Sequence, residues 1–265
     1  MNAVGVAGIG LFCPAGIGAD GATGGRPGEV PGFRARAYVK ERKNLKLMSR
    51  AVKLGVSGIA VALAEAEGWE EVPPERRGMF VGSTPIGGEM ADLVPALDAS
   101  MDADGVIDLG LFAREGYPLI HPLWLVKGLS NNVLGFASAS HDFQGVNANY
   151  CDGDASGGHA LVEGWAAVAE GRADLVVCGA ADSWVGLESL LGGIKAGEAA
   201  AFFVLRLADG RQRWVIEPGE GEPLADERRE LGYLGCSETT VGLARALLRG
   251  ELPGFTAAGQ PLRFV

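Results

Sequence analysis

Apolar and polar positions divide the chain into two kinds of run. Short, nearly unbroken apolar runs bounded by turn residues read as buried strands. They are residues 4–11 (VGVAGIGL), 78–83 (GMFVGS), 173–178 (ADLVVC) and 198–207 (EAAAFFVLRL), with residues 213–217 and 261–265 as two more. Residues 145–150 alternate small and polar side chains, as an extended segment does. Longer runs read as helices at 44–68, 90–101, 122–141 and 156–170. Asn44 is placed to cap the first and Gly68 to stop it. Pro122 suits the first turn of the third. The fourth is apolar or small throughout except for His159 and Glu163, so it should be buried all round. Residues 16–33, rich in Gly and Pro, read as loop. The turn PIGGE follows the second strand, and residues 102–118 form an acidic, irregular insertion.

Strands alternating with helices of this length predict an α/β fold, a mostly parallel buried sheet covered by helices. The turn at 151–154 then lies at the N-terminus of the most buried helix. Free N–H groups and the helix dipole favour an anion or a thiolate there.

Composition narrows the function classes. The chain has 265 residues, 48% of them hydrophobic, enough for a sizeable core in one or two domains. Lys and Arg number 23 against 33 Asp and Glu, a net charge of −10 with no long basic run, which argues against nucleic acid as a partner. The one basic cluster is residues 34–53 (RARAYVKERKNLKLMSRAVK). The four cysteines (13, 151, 178 and 236) show no CxxC pair or metal spacing, as expected of reduced thiols in a cytoplasmic protein. No run of about 18 apolar residues is present, so no membrane span is expected. No cofactor is implied.

The stretch 145–182 carries a resemblance. It has a glycine before the strand (Gly145), the run Ser156, Gly157, Gly158, His159, the ending GRAD (171–174) and the strand end CGAAD (178–182). These features resemble the nucleophile region of β-ketoacyl-acyl-carrier-protein synthases, which have the thiolase-like fold. Further matches follow the same order: Arg42 and Lys43 before the first long helix, the VGS turn, Pro122, Leu125 and Asn131, and Gly197, Glu198, Ala199, Ala200. In the family the residue two before the Ser-Gly pair is the acyl-accepting cysteine, and here it is Asp154. The family's second half, with its His-Gly-Thr and Lys-x-x-Gly-His motifs, is reduced to 58 residues after Leu207. Residues 231–250 are similar to a worn copy of the second motif, with Tyr233 in the histidine position. The resemblance therefore implies a domain at 1–207, a shortened remnant at 208–265 packed on it as a single unit, and loss of condensation.

The candidate residues each carry a bland and a chemical reading. Asp154 is read as an N-cap accepting from Ser156 or Gly157, worth about 1 kcal/mol. A carboxylate nucleophile would have to pass through a mixed anhydride, a poor acyl carrier. Cys151 is the only nearby thiol that could replace the missing one, and His159 reads as a satisfied core histidine. Asp154, Cys151 and His159 could also build a small acyl-transferring or thioester-hydrolysing pocket. Asp152, Asp154, Ser156 and Glu163 fit the spacing of a calcium loop, but a strand rather than a helix precedes them.

The implied role is that of a chain-length-factor-like partner subunit in type II fatty-acid or polyketide biosynthesis. Such a chain forms a homodimer, or a heterodimer with a full-length synthase, and an acyl carrier protein is a further partner. In the family, the strand matching Gly145, Val146, Asn147, Ala148, Asn149 and Tyr150 pairs with its counterpart across a two-fold. Trp124, Leu129 and Val133 lie on the neighbouring helix. The strand carries no charge or proline to block such pairing.

Overall fold

In the computed structural model, residues 2–84, 92–220, 224 and 226–265 are described. Among the described residues nine strands form one sheet: β1 Val4–Cys13, β2 Gly16–Ile17, β3 Arg77–Gly82, β4 Asn147–Tyr150, β5 Leu175–Ser183, β6 Glu198–Leu207, β7 Trp214–Pro218, β8 Gly254–Ala257 and β9 Gln260–Phe264. Their order is β4-β3-β5-β6-β1-β7-β9-β8, with β2 folded back on β1. Among the same residues four helices of at least ten residues cover it: α1 Arg50–Glu65, α2 Asn132–His141, α3 Ser156–Ala169 and α4 Glu238–Arg249. Val52, Ile59 and Ala137 of α1 and α2 join one core layer, and Leu161, Val168 and Leu247 of α3 and α4 join the other. The sheet is thus buried between two helical layers.

The α/β architecture holds, but the sheet is mixed rather than mostly parallel. Among the described residues only β3–β4 and β3–β5 pair in parallel, and the other six pairings are antiparallel. A parallel neighbour needs a crossover, which α3 supplies between β4 and β5. A connection without a long helix joins β5 to β6, and those two strands run in opposite directions.

The helices expected at 156–170 and the strand at 198–207 are found almost to the residue. Eleven of the fourteen α3 residues are buried, which fits its apolar sequence. Two helices differ. The first begins at Arg50 rather than Asn44, because residues 42–47 form a separate 3-10 turn in which Asn44 bonds Glu41 at 3.0 Å. Ser49 is the actual cap, its Oγ accepting from Val52 N. The run 122–141 breaks into Trp124–Lys127 and α2. Asn132 causes the break by turning its side-chain amide onto the Val126 and Lys127 carbonyls. In the stretch expected as a helix at 90–101, the described part is helical at Val94–Asp98. Residues 85–91, including PIGGE, lie outside the described residues.

Beyond Leu207 the chain extends the same sheet. β7 pairs with β1, β9 with β7, and β8 with β9. α4 packs beside α3, with Val241, Leu243, Ala244 and Leu247 fully buried. Arg245, 1% exposed, ties α4 to the early loop through the carbonyls of Ala22 and Gly24 and to Glu227 and Glu230. The result places four features at one end of the sheet: the ends of β3, β4 and β5, and the turn before α4.

Candidate functional site

The turn 151–155 leaves β4 and enters α3 through a short 3-10 turn, Gly153–Ala155. α3 lies close on the sheet here. A Cβ at Gly82 would come within 2.6 Å of Gly157 N, so only glycine lets the helix start at this depth. Asp154 does not cap this helix. Ser156 fills the turn instead: its Oγ accepts from Asp152 N and donates to the Gly153 carbonyl, both at 2.7 Å. With the turn closed by Ser156 and no side chain capping α3, the Asp154 carboxylate turns outward to the segment before α4. Tyr233 Oη donates to Oδ1 at 2.5 Å and Arg228 Nη2 to Oδ2 at 2.9 Å. Arg228 also binds Glu238, the first residue of α4, at 2.7 Å, and its guanidinium lies over the Tyr233 ring.

The positions that the resemblance assigns to the nucleophile and a histidine therefore meet each other. Burial and the Asp154 carboxylate both push the Tyr233 phenol above its ordinary range, so at neutral pH it holds its proton and donates it to Asp154. Burial likewise raises the Glu238 carboxyl, while the Arg228 guanidinium opposes that shift.

Asp182 at the end of β5 forms the floor. It is 2% exposed, and burial raises its carboxyl to about 6. Its oxygens accept from Ser183 N, Cys236 N and Trp184 Nε1 at 2.9–3.1 Å. Trp184 in turn lies against the Tyr233 ring, centroids 5.0 Å apart. Gly235, at φ +54°, lets the turn pass over this carboxylate, because a Cβ there would stand 2.0 Å from Asp182 Oδ2. The network runs without a break from Asp182 through Trp184, Tyr233 and Asp154 to Arg228 and Glu238. A cavity of about 170 Å³ opens beside it, lined by Leu224, Arg228, Leu234, Glu238 and Thr239 among others.

The other sequence candidates go to separate partners. Cys151 is exposed, with its sulfur 3.3 Å from Ser83 Oγ and from Asn149 Nδ2. His159 Nδ1 lies 3.1 Å from Asp152 Oδ2. His121 accepts from Leu123 N, and His141 is buried beside Trp69, where burial lowers it to about 4. No described histidine sits on Cys151 or Asp154, so the thiol lacks a base and the acyl-transfer constellation is not assembled. Nor is a calcium loop: Asp152 faces His159, Asp154 faces Tyr233 and Arg228, Ser156 serves the turn, and Glu163 faces Arg172 at 3.6 Å. Among the described residues no cluster of His, Cys, Asp and Glu could hold a metal, and no helix is long and apolar enough to cross a membrane. Arg228 and Glu238 escaped the sequence reading because they carry no motif; only Tyr233 was singled out.

β4 is an outer strand of the sheet, pairing with β3 on one side. Asn147 is exposed and Ala148, Asn149 and Tyr150 are half-buried, as are Gly145, Val146 and Trp124, while Leu129 is exposed. Val133 differs. At 2% exposure it packs against Gly55 of α1 and belongs to the core rather than to an outer surface.

No protein-family model matches the chain. Solved structures do. The chain is similar to the ishigamide ketosynthase/chain length factor, with a TM-score of 0.74, 14% identity, and 99% of this chain and 98% of that one covered. It is similar to a chain of AntDE:AntF, a type II PKS acyl-carrier protein in complex with its ketosynthase, with a TM-score of 0.72, 14% identity and 99% of both chains covered. It also resembles a β-ketoacyl synthase from Burkholderia phymatum STM815, with a TM-score of 0.71, 15% identity, and 100% of this chain and 98% of that one covered. The chain has the thiolase-like fold of the ketosynthases.

Proposed function

We propose that this chain, a ketosynthase fold whose nucleophile position is an aspartate tied to a tyrosine and an arginine, is a non-condensing partner subunit. Its role is that of a chain length factor beside a full-length ketosynthase in type II polyketide or fatty-acid biosynthesis. The observation that carries the reading is the Asp154–Tyr233 contact at 2.5 Å. Condensation needs a nucleophile that can carry an acyl group and donors that stabilise the developing enolate oxygen. Here the carboxylate is spent on two donors, and the phenol is spent on the carboxylate. The fold is kept while its chemistry is closed, which suits a subunit whose work is to complete another's site.

The partner is inferred from the sheet edge. Among the described residues β4 offers an unpaired outer backbone, without charge or proline, and such an edge is a template for a strand of another chain. Two of the similar structures are a ketosynthase/chain length factor and a ketosynthase with its acyl-carrier protein, and the partner class is taken from them. Residues 208–265 are read as the shortened counterpart of a second half, packed on residues 1–207 as one unit. The continuous sheet through β7 and β9 supports this. An acyl carrier is a further partner. Residues 34–53 hold eight Lys and Arg against one Glu, a local +7 in a chain of −10, so the rest carries −17. Arg34, Arg36, Lys40, Arg42, Lys43 and Lys46 are all exposed, which suits an acidic surface. All four cysteines are free, in keeping with the cytoplasm. Co-expression with a full-length ketosynthase and a carrier tests the reading. The chain should copurify with the synthase and support its product, while the chain alone forms no ketoacyl product.

A further inference from the structure

A second cavity, of about 330 Å³, opens at the opposite end of the sheet. It forms where β7 leaves β1, since the two strands pair only over Val4–Val6 and Trp214–Ile216. β1 itself is irregular there, with a register shift between Val6 and Gly8. Glu65, at the end of α1, and Glu67 just beyond it close one wall. The turn from β6 to β7 supplies the other, with Arg206, Arg211, Gln212, Arg213 and Trp214.

That turn is held in place by its own side chains. Asp209 accepts from the Arg211 amide at 3.1 Å and from its Nε at 2.9 Å, and Gln212 Oε1 accepts from Asp209 N at 2.9 Å. The Gln212 side chain lies flat over Gly5, where an added Cβ would come within 2.6 Å of it. The cations around the cavity are therefore presented on a fixed frame. Of the carboxylates nearby, Glu67 lines the cavity and acts on Arg211, and the other two are committed. Glu65 Oε2 accepts from Ile9 N at 3.0 Å, and Asp209 pairs with Arg211. Arg206 donates one N–H to the Glu67 carbonyl at 3.1 Å, and Arg213 lies 4.7 Å over the Trp214 ring. Among the described residues neither Arg206 nor Arg213 meets a carboxylate. Each guanidinium has five N–H donors, so most of these are unspent.

Guanidinium forks match phosphate oxygens in pairs, and their flat faces, like the indole, stack on rings. The volume falls in the range of small-molecule sites, far larger than a bare anion needs. We propose that this cavity binds an aromatic phosphate monoester of nucleoside monophosphate size, with the phosphate between Arg206 and Arg213 and the ring against Trp214. The site is independent of the partner-subunit reading. Glu198 and Arg206 mark the two ends of β6, about 27 Å apart by strand rise, and Asp154 lies at the Glu198 end.

Calorimetric titration of the purified protein at low salt tests this, with AMP, adenosine and inorganic phosphate as probes. AMP should bind saturably, about tenfold more weakly in Arg206→Ala/Arg213→Ala and unchanged in Arg114→Ala, an exposed arginine outside the cavity lining. Adenosine should give no saturable heat. Arg213→Gln, at an exposed position, gives the same comparison should the double variant melt early. Absence of saturable AMP binding, or equal AMP binding by the parent and the arginine variants, would overturn the site. Inorganic phosphate binding as tightly as AMP would overturn the claim that the cavity takes an aromatic ester.

Discussion

A double-mutant cycle on Asp154 and Tyr233 reads the contact between the two side chains directly. The hydrogen bond is short, 2.5 Å, and its acceptor is charged. Bonds to charged groups contribute about 1.5–3 kcal/mol when shielded. The Asp154 side chain is 46% exposed, so solvent screening brings the coupling down to about 1 kcal/mol. Tyr233→Phe should therefore lower stability by about that amount, a fall of roughly 2 °C in Tm for a chain of this size. Asp154→Asn keeps an acceptor for Tyr233 but turns an amide or an uncharged oxygen toward Arg228. It should lose the ion pair, about 0.2–1 kcal/mol. Asp154→Ala should cost more than Asp154→Asn, and in the Tyr233→Phe background its cost should shrink by the coupling energy. Urea unfolding at fixed protein concentration supplies the four free energies, with constant slopes as the check on comparability. A coupling within about 0.3 kcal/mol of zero would mean that the two residues do not act together. An Asp154→Ala cost unchanged by Tyr233→Phe, beside a neutral Asp154→Asn, would restore the helix-cap account.

Other outcomes follow from the same geometry. Asp182 has its carboxyl raised to about 6, so the native state keeps that proton longer than the unfolded chain. Its contribution to stability is greatest below about pH 4 and falls by about 3 kcal/mol as pH rises to 6. His141, lowered to about 4 by burial, acts in the opposite sense, losing stability as pH falls from 6.5 to 4. Asp182→Asn should therefore make acid destabilisation steeper over pH 6 to 4, and a shallower profile by urea unfolding would contradict the assignment. Gly235→Ala should destabilise strongly, by about 2 kcal/mol or more in thermal or urea unfolding, because its Cβ would overlap Asp182 and the residue sits at φ +54°. Maleimide should label one thiol in the native protein, Cys151, since Cys13, Cys178 and Cys236 are buried; labelling of two or more by mass spectrometry would show an opened core.

The chain's most regular parts were legible because their signals are local. The run from Ser156 to Ala169 is apolar or small except at His159 and Glu163 and is stopped by Gly171, and β6 is apolar from Ala199 to Leu205, so both emerge with their boundaries nearly intact. The break between Lys127 and Asn132 carried a local signal, Gly128, Ser130 and Asn131, but the apolar runs on either side were read as one helix across it. It depends on one amide folding back onto two carbonyls. The sense of the sheet was misread from the alternation in the first half, although the helix-poor connection from β5 to β6 already favoured reversal. Asp154 was found by position and misassigned in role. Its partners lie 74 and 79 residues away, and nothing local in the run 226–233 marks Arg228 as one of them. Tyr233 was reachable only through its place in the worn motif.

The central claim is that a closed ketosynthase fold works as a partner. Sedimentation of the chain co-expressed with a full-length ketosynthase, coupled to a condensation assay on malonyl and acyl carrier thioesters, tests it most directly. The account predicts an equimolar complex joined through β4, burying ~2,000 Å² or more and split by Ala148→Asp. Condensation should depend wholly on the synthase's own nucleophile. A well-folded monomer at micromolar concentration that ignores the synthase would contradict it, as would ketoacyl product from this chain alone that disappears in Asp154→Ala.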